Sequence, residues 1–152
     1  MKLRLAAFIL LTVCSAPAAD RKLAALVIDG MNNHDWEAGT RAIQSILEGS
    51  GRFTVEVSTF PAKPEFDKYD VVIDNFNGGH TATGTRWPRE TEQALDAYVR
   101  AGGGLVVYHA ANNAFLNWPE FNEMIGLGWR DKTFGEGLAV GPGGALLHVP
   151  KG

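Results

Sequence analysis

Apolar residues fall in short blocks separated by polar or glycine-rich stretches, and the spacing inside the blocks changes along the chain. From Leu23 the run LAALVID is apolar up to a single acid and is followed by Gly30, the pattern of a strand buried on both faces and hence of a parallel sheet. Between Glu37 and Glu48, helical spacing sets Gly39, Ala42, Ile43, Ile46 and Leu47 on one side and Thr40, Arg41, Gln44 and Glu48 largely opposite. Gly49 and Gly51 end that helix. Phe53, Val55 and Val57 alternate with Thr54, Glu56 and Ser58, which predicts a strand at a sheet edge. Tyr69 to Asp74 reads as a third strand, apolar in its middle. Pro88 fits the first turn of a second helix that runs to Arg100, with Thr91, Leu95, Tyr98 and Val99 inward and Gly102, Gly103 and Gly104 as the stop. Leu105 to Tyr108 predicts a fourth buried strand, and Pro119 opens a short amphipathic helix carrying Phe121, Met124 and Ile125. Beyond Gly126 the chain is glycine-rich, with one further strand predicted from Ala145 to Val149.

Strand, helix, strand, strand, helix, strand is the rhythm of an α/β, doubly wound and mainly parallel sheet, and right-handed crossovers leave few ways to arrange it. The expected order is flavodoxin-like, with the first strand between the second and the third. Ligands in such sheets bind beyond the carboxyl ends of the strands, where the winding reverses. The loops after Ile28, Ile73 and Tyr108 are therefore expected to meet.

The start of the chain obeys a different pattern. Lys2 and Arg4 precede an apolar run from Leu5 to Val13 and a small-residue stretch ending Ala16-Pro17-Ala18-Ala19, the three regions of a secretory signal peptide. The run is too short to span a bilayer. Residues 1–19 are accordingly set apart from the domain at 20–152, and a secreted or periplasmic location is expected. A lipid anchor on Cys14 is the weaker reading, because bulky Val13 precedes it. Cys14 is the chain's one cysteine, so the mature domain has neither disulfides nor a thiol nucleophile. With 152 residues there is room for one domain. A formal charge of -3, with Lys2 and Arg4 among only 14 basic side chains, argues against nucleic acid as a partner.

The three loops hold most of the polar chemistry. The first carries Asp29, Asn32, Asn33, His34, Asp35 and Trp36, the second Asp74, Asn75, Asn77 and His80, and the third His109, Asn112 and Asn113. Amides and carboxylates pair with hydroxyls, and an indole gives a flat apolar face, a combination suited to a small sugar or oligosaccharide. Taken singly, Asn33, Asp35 and Asn77 are better read as turn formers and helix caps. His109 follows an apolar strand and precedes Ala110 and Ala111, small residues that allow a sharp turn presenting a catalytic side chain. An imidazole there suits general acid or base work, with Asp29 on the neighbouring strand end to orient it. The competing reading buries that histidine against Trp118 or Trp129. His34, Trp36, Asn75 and Asn112 are the candidate substrate contacts. A metal held by His34, His80 and His109 with Asp29 or Asp35 fits the ligand types, but no short motif spacing supports it, so neither metal nor other cofactor is assigned. The glycine pairs and triplets fit no phosphate-loop string. Trp87-Pro88 and Trp118-Pro119 read as packing staples at helix starts.

VIDGMNNHDW, FDKYDVVIDNFNG, LDAYVRAGGGLVVYHAANNAF and WPEFNEMIGLGWR together resemble the ThuA-like (trehalose-utilisation) family, a branch of the class I glutamine amidotransferase-like superfold. The resemblance covers residues 23 to 150. It implies a sugar-related role, often in exported proteins that process or bind carbohydrates, and with His109 as acid or base the first expectation is a hydrolase or lyase acting on glycosides or oxidised sugars. It also places His109 where amidotransferases carry their cysteine nucleophile, so glutaminase activity is not expected. Family members continue past a segment like LLHVPKG into further motifs, whereas this chain stops at Gly152. A C-terminally incomplete domain is thus expected, with an open sheet edge, an uncovered apolar face and a tendency to self-associate. The rival functions are a non-catalytic sugar-binding module and an inactive fragment of a longer enzyme.

Overall fold

Leu23–Asp29 forms the central strand β1, pairing in parallel with β2 (Phe53–Thr59) on one side and β3 (Val71–Asp74) on the other. A computed structural model describes residues 21–61, 63–79, 84–130 and 135–150 of the chain. β4 (Gly104–Val107) adds in parallel to β3, giving the order β2-β1-β3-β4 that the crossover rules predict. Helices α1 (Trp36–Gly49), α2 (Arg89–Arg100) and α3 (Pro119–Ile125) flank this sheet. The proposed leader and His80 lie outside the described residues. Among the described residues no helix is long and apolar enough to cross a membrane.

The two faces of the sheet have unequal cover. On the face of α2 and α3, Leu26, Ile28, Val72, Phe76, Trp87, Leu95, Phe115, Trp118 and Phe121 form one buried cluster. Its rings meet in stacked and edge-on contacts, Phe76 on Phe115 at 5.8 Å and Phe115 on Phe121 at 4.9 Å, geometries that add to simple burial. Trp87 and Trp118 are core residues, as read. On the other face Ala25, Val27 and Ile73 pack beneath Ile43 and Leu47 of α1. That cover stops short of β4, leaving Val106 and Tyr108 49% and 43% exposed, so the fourth strand is not buried as its apolar sequence suggests.

α1 is also turned from its predicted setting. Ile46 is exposed and Thr40 is buried, because the Thr40 hydroxyl has a carboxylate to bond beneath the helix. Apolar spacing alone cannot reveal such a bond. Past α3, β5 (Gly137–Val140) and β6 (Leu146–Val149) pair as an antiparallel hairpin separate from the main sheet. β5 was not expected from the glycine-rich sequence, and its turn runs through Gly143 and Gly144 at positive φ.

Candidate functional site at the strand ends

The three loops beyond β1, β3 and β4 do converge, and backbone and amide bonds tie them. Asn75 N–H donates to the Ile28 carbonyl (2.8 Å) and Asn77 N–H to the Met31 carbonyl (2.9 Å). Asn32 Nδ2 donates to the Asn75 carbonyl at 3.1 Å, and Asn77 Nδ2 donates to Asn33 Oδ1. Tyr108 N–H in turn donates to the Asp74 carbonyl at 2.9 Å. Most of the asparagines therefore stitch loops together, and Asp35 caps α1 by accepting from Ala38 N–H at 2.9 Å.

His109 lies at a sharp turn. Its φ of 48° is in the left-handed region that non-glycine residues seldom adopt, and it starts a short 3-10 helix, His109–Asn113. The side chain is exposed rather than packed under Trp118, which belongs to the core, or Trp129, itself 52% exposed. Its closest ring neighbour is His34, from the loop after β1. The two imidazole centres are 4.6 Å apart with the rings tilted by 49°, and Tyr108 stands edge-on at 6.3 Å.

Beneath this exposed pair is a buried polar layer. Asp29, 2% exposed, accepts from Thr40 Oγ1 on one carboxylate oxygen and from Thr59 Oγ1 on the other, both at 2.7 Å. Asn75, also 2% exposed, donates from Nδ2 to Thr40 Oγ1 at 3.1 Å and to the Trp36 carbonyl at 3.0 Å. Of the sequence-predicted site residues, His34 and His109 thus meet at the surface, while Asp29 and Asn75 join through Thr40 below it. No hydrogen bond between Asp29 and His109 occurs among the described residues, because the hydroxyls of α1 and β2 take up both carboxylate oxygens. Trp36 and Asn112 are half-buried, and their main-chain carbonyls accept from Asn75 Nδ2 and Arg130 Nη1 respectively.

Three further residues went unassigned in the sequence. Thr40 is the link just described. Asp74, at the end of β3, is fully buried. Its Oδ1 accepts from Phe76 N–H at 2.9 Å, but Oδ2 has no partner, and desolvation pushes its carboxyl up to about 8 despite that bond. Arg130, also buried, donates from Nη1 to the Asn112 carbonyl (2.7 Å), from Nη2 to the Ala114 carbonyl (3.2 Å) and from Nε to Asn122 Oδ1 (3.1 Å). It pins the segment after His109 onto α3. Among the described residues no three His, Cys, Asp or Glu side chains group closely enough to hold a metal. A groove of about 790 Å³, lined by Phe66, Tyr69, Asp70, Ala97, Tyr98 and Gly103, opens near the starts of β3 and β4, at the opposite end of the sheet from the carboxyl ends where ligands of such folds bind.

A parallel sheet wound in both directions, with its polar loops gathered at the carboxyl ends, defines a doubly wound α/β protein of the flavodoxin-like class. Residues 24–142 match the family model for ThuA, described as trehalose utilisation, and the chain belongs to that family. A ThuA-like protein of known structure from Parabacteroides merdae is 35% identical, with a TM-score of 0.74 over 86% of this chain. A second, from Bacteroides uniformis, is 24% identical with a TM-score of 0.51 over 72% of the chain, and shows likeness of fold. The chain spans about half the length of each, 48% and 46%. No curated protein matches the sequence.

Proposed function

We propose that the strand-end cluster is the carbohydrate site of an exported ThuA-like protein, a hydrolase or lyase on glycosides or oxidised sugars in which His109 serves as general acid or base. The observation that carries the reading is the exposed His109 imidazole at a positive-φ turn, beside His34, where three loops converge. Strain retained at a surface histidine is the kind of local cost a functional site sustains. The family description, trehalose utilisation, supports a sugar as ligand. His34, Trp36 and Asn112 line the ligand side, and Asp29 and Asn75 serve from below by fixing the loops. The basic and apolar leader at residues 1–19 supports export.

The engagement of both Asp29 oxygens by threonines favours a second reading, a sugar-binding module without turnover, since no carboxylate is bonded to His109 among the described residues. The test is a screen of glycosides and oxidised sugars with this chain and its His109→Ala variant, following product by chromatography and binding by calorimetry. Turnover abolished in the variant is the expected result. Turnover that survives the substitution removes His109 from the mechanism, and binding without product supports the module.

A further inference from the structure

The two edges of the main sheet differ in what guards them. β2 carries Glu56 near its middle, whereas Gly104 to Tyr108 along β4 holds neither a charge nor a proline, the usual devices that keep an open edge from pairing. Among the described residues no strand lies beyond β4. Gly104 N–H donates to the Asp70 carbonyl (3.3 Å) and Tyr108 N–H to the Asp74 carbonyl (2.9 Å), so both residues turn their main chain toward β3. Alternation along the strand turns the N–H and C=O groups of Leu105 and Val107 the other way, onto the open edge. Val106, aligned with Ile73, and Tyr108 stand exposed on the α1 side of that edge. An apolar groove of about 280 Å³, lined by Ile43, Ile46, Val71, Ile73, Val106 and Tyr108, continues inward from them beneath α1. Whatever covers this edge must supply main-chain partners and apolar side chains together.

We infer that β4 pairs antiparallel with β4 of a second copy of this chain, about a two-fold axis at Val106. Setting Leu105 of each copy opposite Val107 of the other uses every outward group of both strands. A shift either way brings in Gly103, whose N–H is already given to the Tyr98 carbonyl (3.0 Å), or His109, which has left the strand at a positive φ. In the favoured register Val106 faces its own copy as a non-hydrogen-bonded pair, with Cα atoms about 4.5 Å apart, the closer of the two antiparallel spacings. Tyr108 of one copy lies opposite Gly104 of the other, so its ring covers a position without a side chain and meets Val71, the neighbour of Gly104 on β3. The segment GLVVY is thus complementary to itself, which selects a second copy over an unrelated apolar partner. The contact is isologous and closes at two chains, and it merges two four-stranded sheets into one.

The experiment is sedimentation velocity of the full chain over a concentration series, beside Val106→Lys and Val140→Lys. Val140 is the control, an apolar residue 78% exposed on the separate hairpin. Circular dichroism verifies that each variant is folded. Expected are dimers for wild type and Val140→Lys, and a dissociation constant raised at least about tenfold in Val106→Lys, where like charges oppose each other across the axis. A second measurement reads the register and does not depend on a disruptive substitution. With Cys14 replaced by serine, Val106→Cys is expected to form a disulfide-linked dimer on mild oxidation, since the paired Cα atoms fall within the span of roughly 4.4–6.8 Å that a disulfide bridges, and Val140→Cys is not. A wild type that stays monomeric leaves the edge to a strand of another chain and overturns the proposal. Open-ended aggregates, dimers indifferent to Val106→Lys, association lost only with Val140→Lys, or cross-linking no faster at position 106 than at 140 overturn it equally.

Discussion

Replacing Asp74 by asparagine isolates the free energy of one buried proton. Asp74 is completely buried at the end of β3, on the same side of the strand as Val72 and thus of the aromatic cluster. Its one bond, from Phe76 N–H, stabilises the carboxylate but is outweighed by desolvation, and the carboxyl is raised from 3.8 to about 8. The folded chain therefore holds a proton that the unfolded chain has released at any pH between about 4 and 8. Stability from this group is fully present below the unfolded value, declines as pH rises through that window, and is gone above the folded value. Between pH 5 and pH 7 the window is crossed at up to 1.36 kcal/mol per pH unit, about 2 to 3 kcal/mol in all.

Asparagine keeps an oxygen for the Phe76 N–H and carries no titrating proton. Its amide leaves two buried donors where the acid leaves one, so Asp74→Asn is expected to be less stable than wild type at pH 5 and to gain relative to it by about 2 to 3 kcal/mol at pH 7. Other titrating groups cancel in the comparison. Urea unfolding followed by far-ultraviolet circular dichroism at pH 5, 6, 7 and 8, with a shared slope, measures it. A wild-type-to-variant difference that stays constant to within about 0.5 kcal/mol across that range refutes the reasoning, and means that Oδ2 is solvated or paired.

Two other substitutions probe the frame beneath the imidazoles. Thr40→Val keeps shape but removes the hydroxyl shared by Asp29 and Asn75, and is expected to cost about 2 to 3 kcal/mol in urea unfolding, with Thr40→Ser recovering most of it. Arg130→Lys keeps the charge but loses the fork that spans the Asn112 and Ala114 carbonyls. A loss of about 1 to 3 kcal/mol is expected, with faster amide exchange confined to 109–115 as the specific sign.

The sheet was legible because burial on both faces leaves an unambiguous mark: LAALVID and the middle of Tyr69–Asp74 could hardly be anything but inner parallel strands. Strand order followed from handedness. The convergence of the three loops followed from strand order, and with it the meeting of His34 and His109. Features set by single long-range bonds were hidden. Thr40 sits on the polar side of its helix by periodicity and on the buried side in fact, because the partner that makes its burial favourable is Asp29, eleven residues earlier on another element. Exposure of Val106 depends on how far α1 reaches across the sheet, which no local pattern encodes. Asp74 looked like one more loop acid, and its raised carboxyl arises from complete burial, which only the folded chain creates.

The vertical arrangement of polar groups also explains why so many asparagines and threonines gather at the strand ends without all touching a ligand. Positioning an exposed imidazole pair requires that neither loop slide along its strand, and main-chain register alone cannot prevent that once the strands have ended. Asn32, Asn77 and Asn75 bond across from one loop to the next, and Asp29 ties α1 to β2 through Thr40 and Thr59. Each bond is worth only about 1 kcal/mol net, yet leaving any one partner buried alone costs more than that, so the set resists local distortion more than its summed strength suggests. A site built this way has its reactive groups on top and its rigidity underneath. Substitutions in the lower layer should therefore disturb the geometry of His34 and His109 in proportion to the stability they remove, whereas substitutions of the two histidines themselves should leave stability almost unchanged.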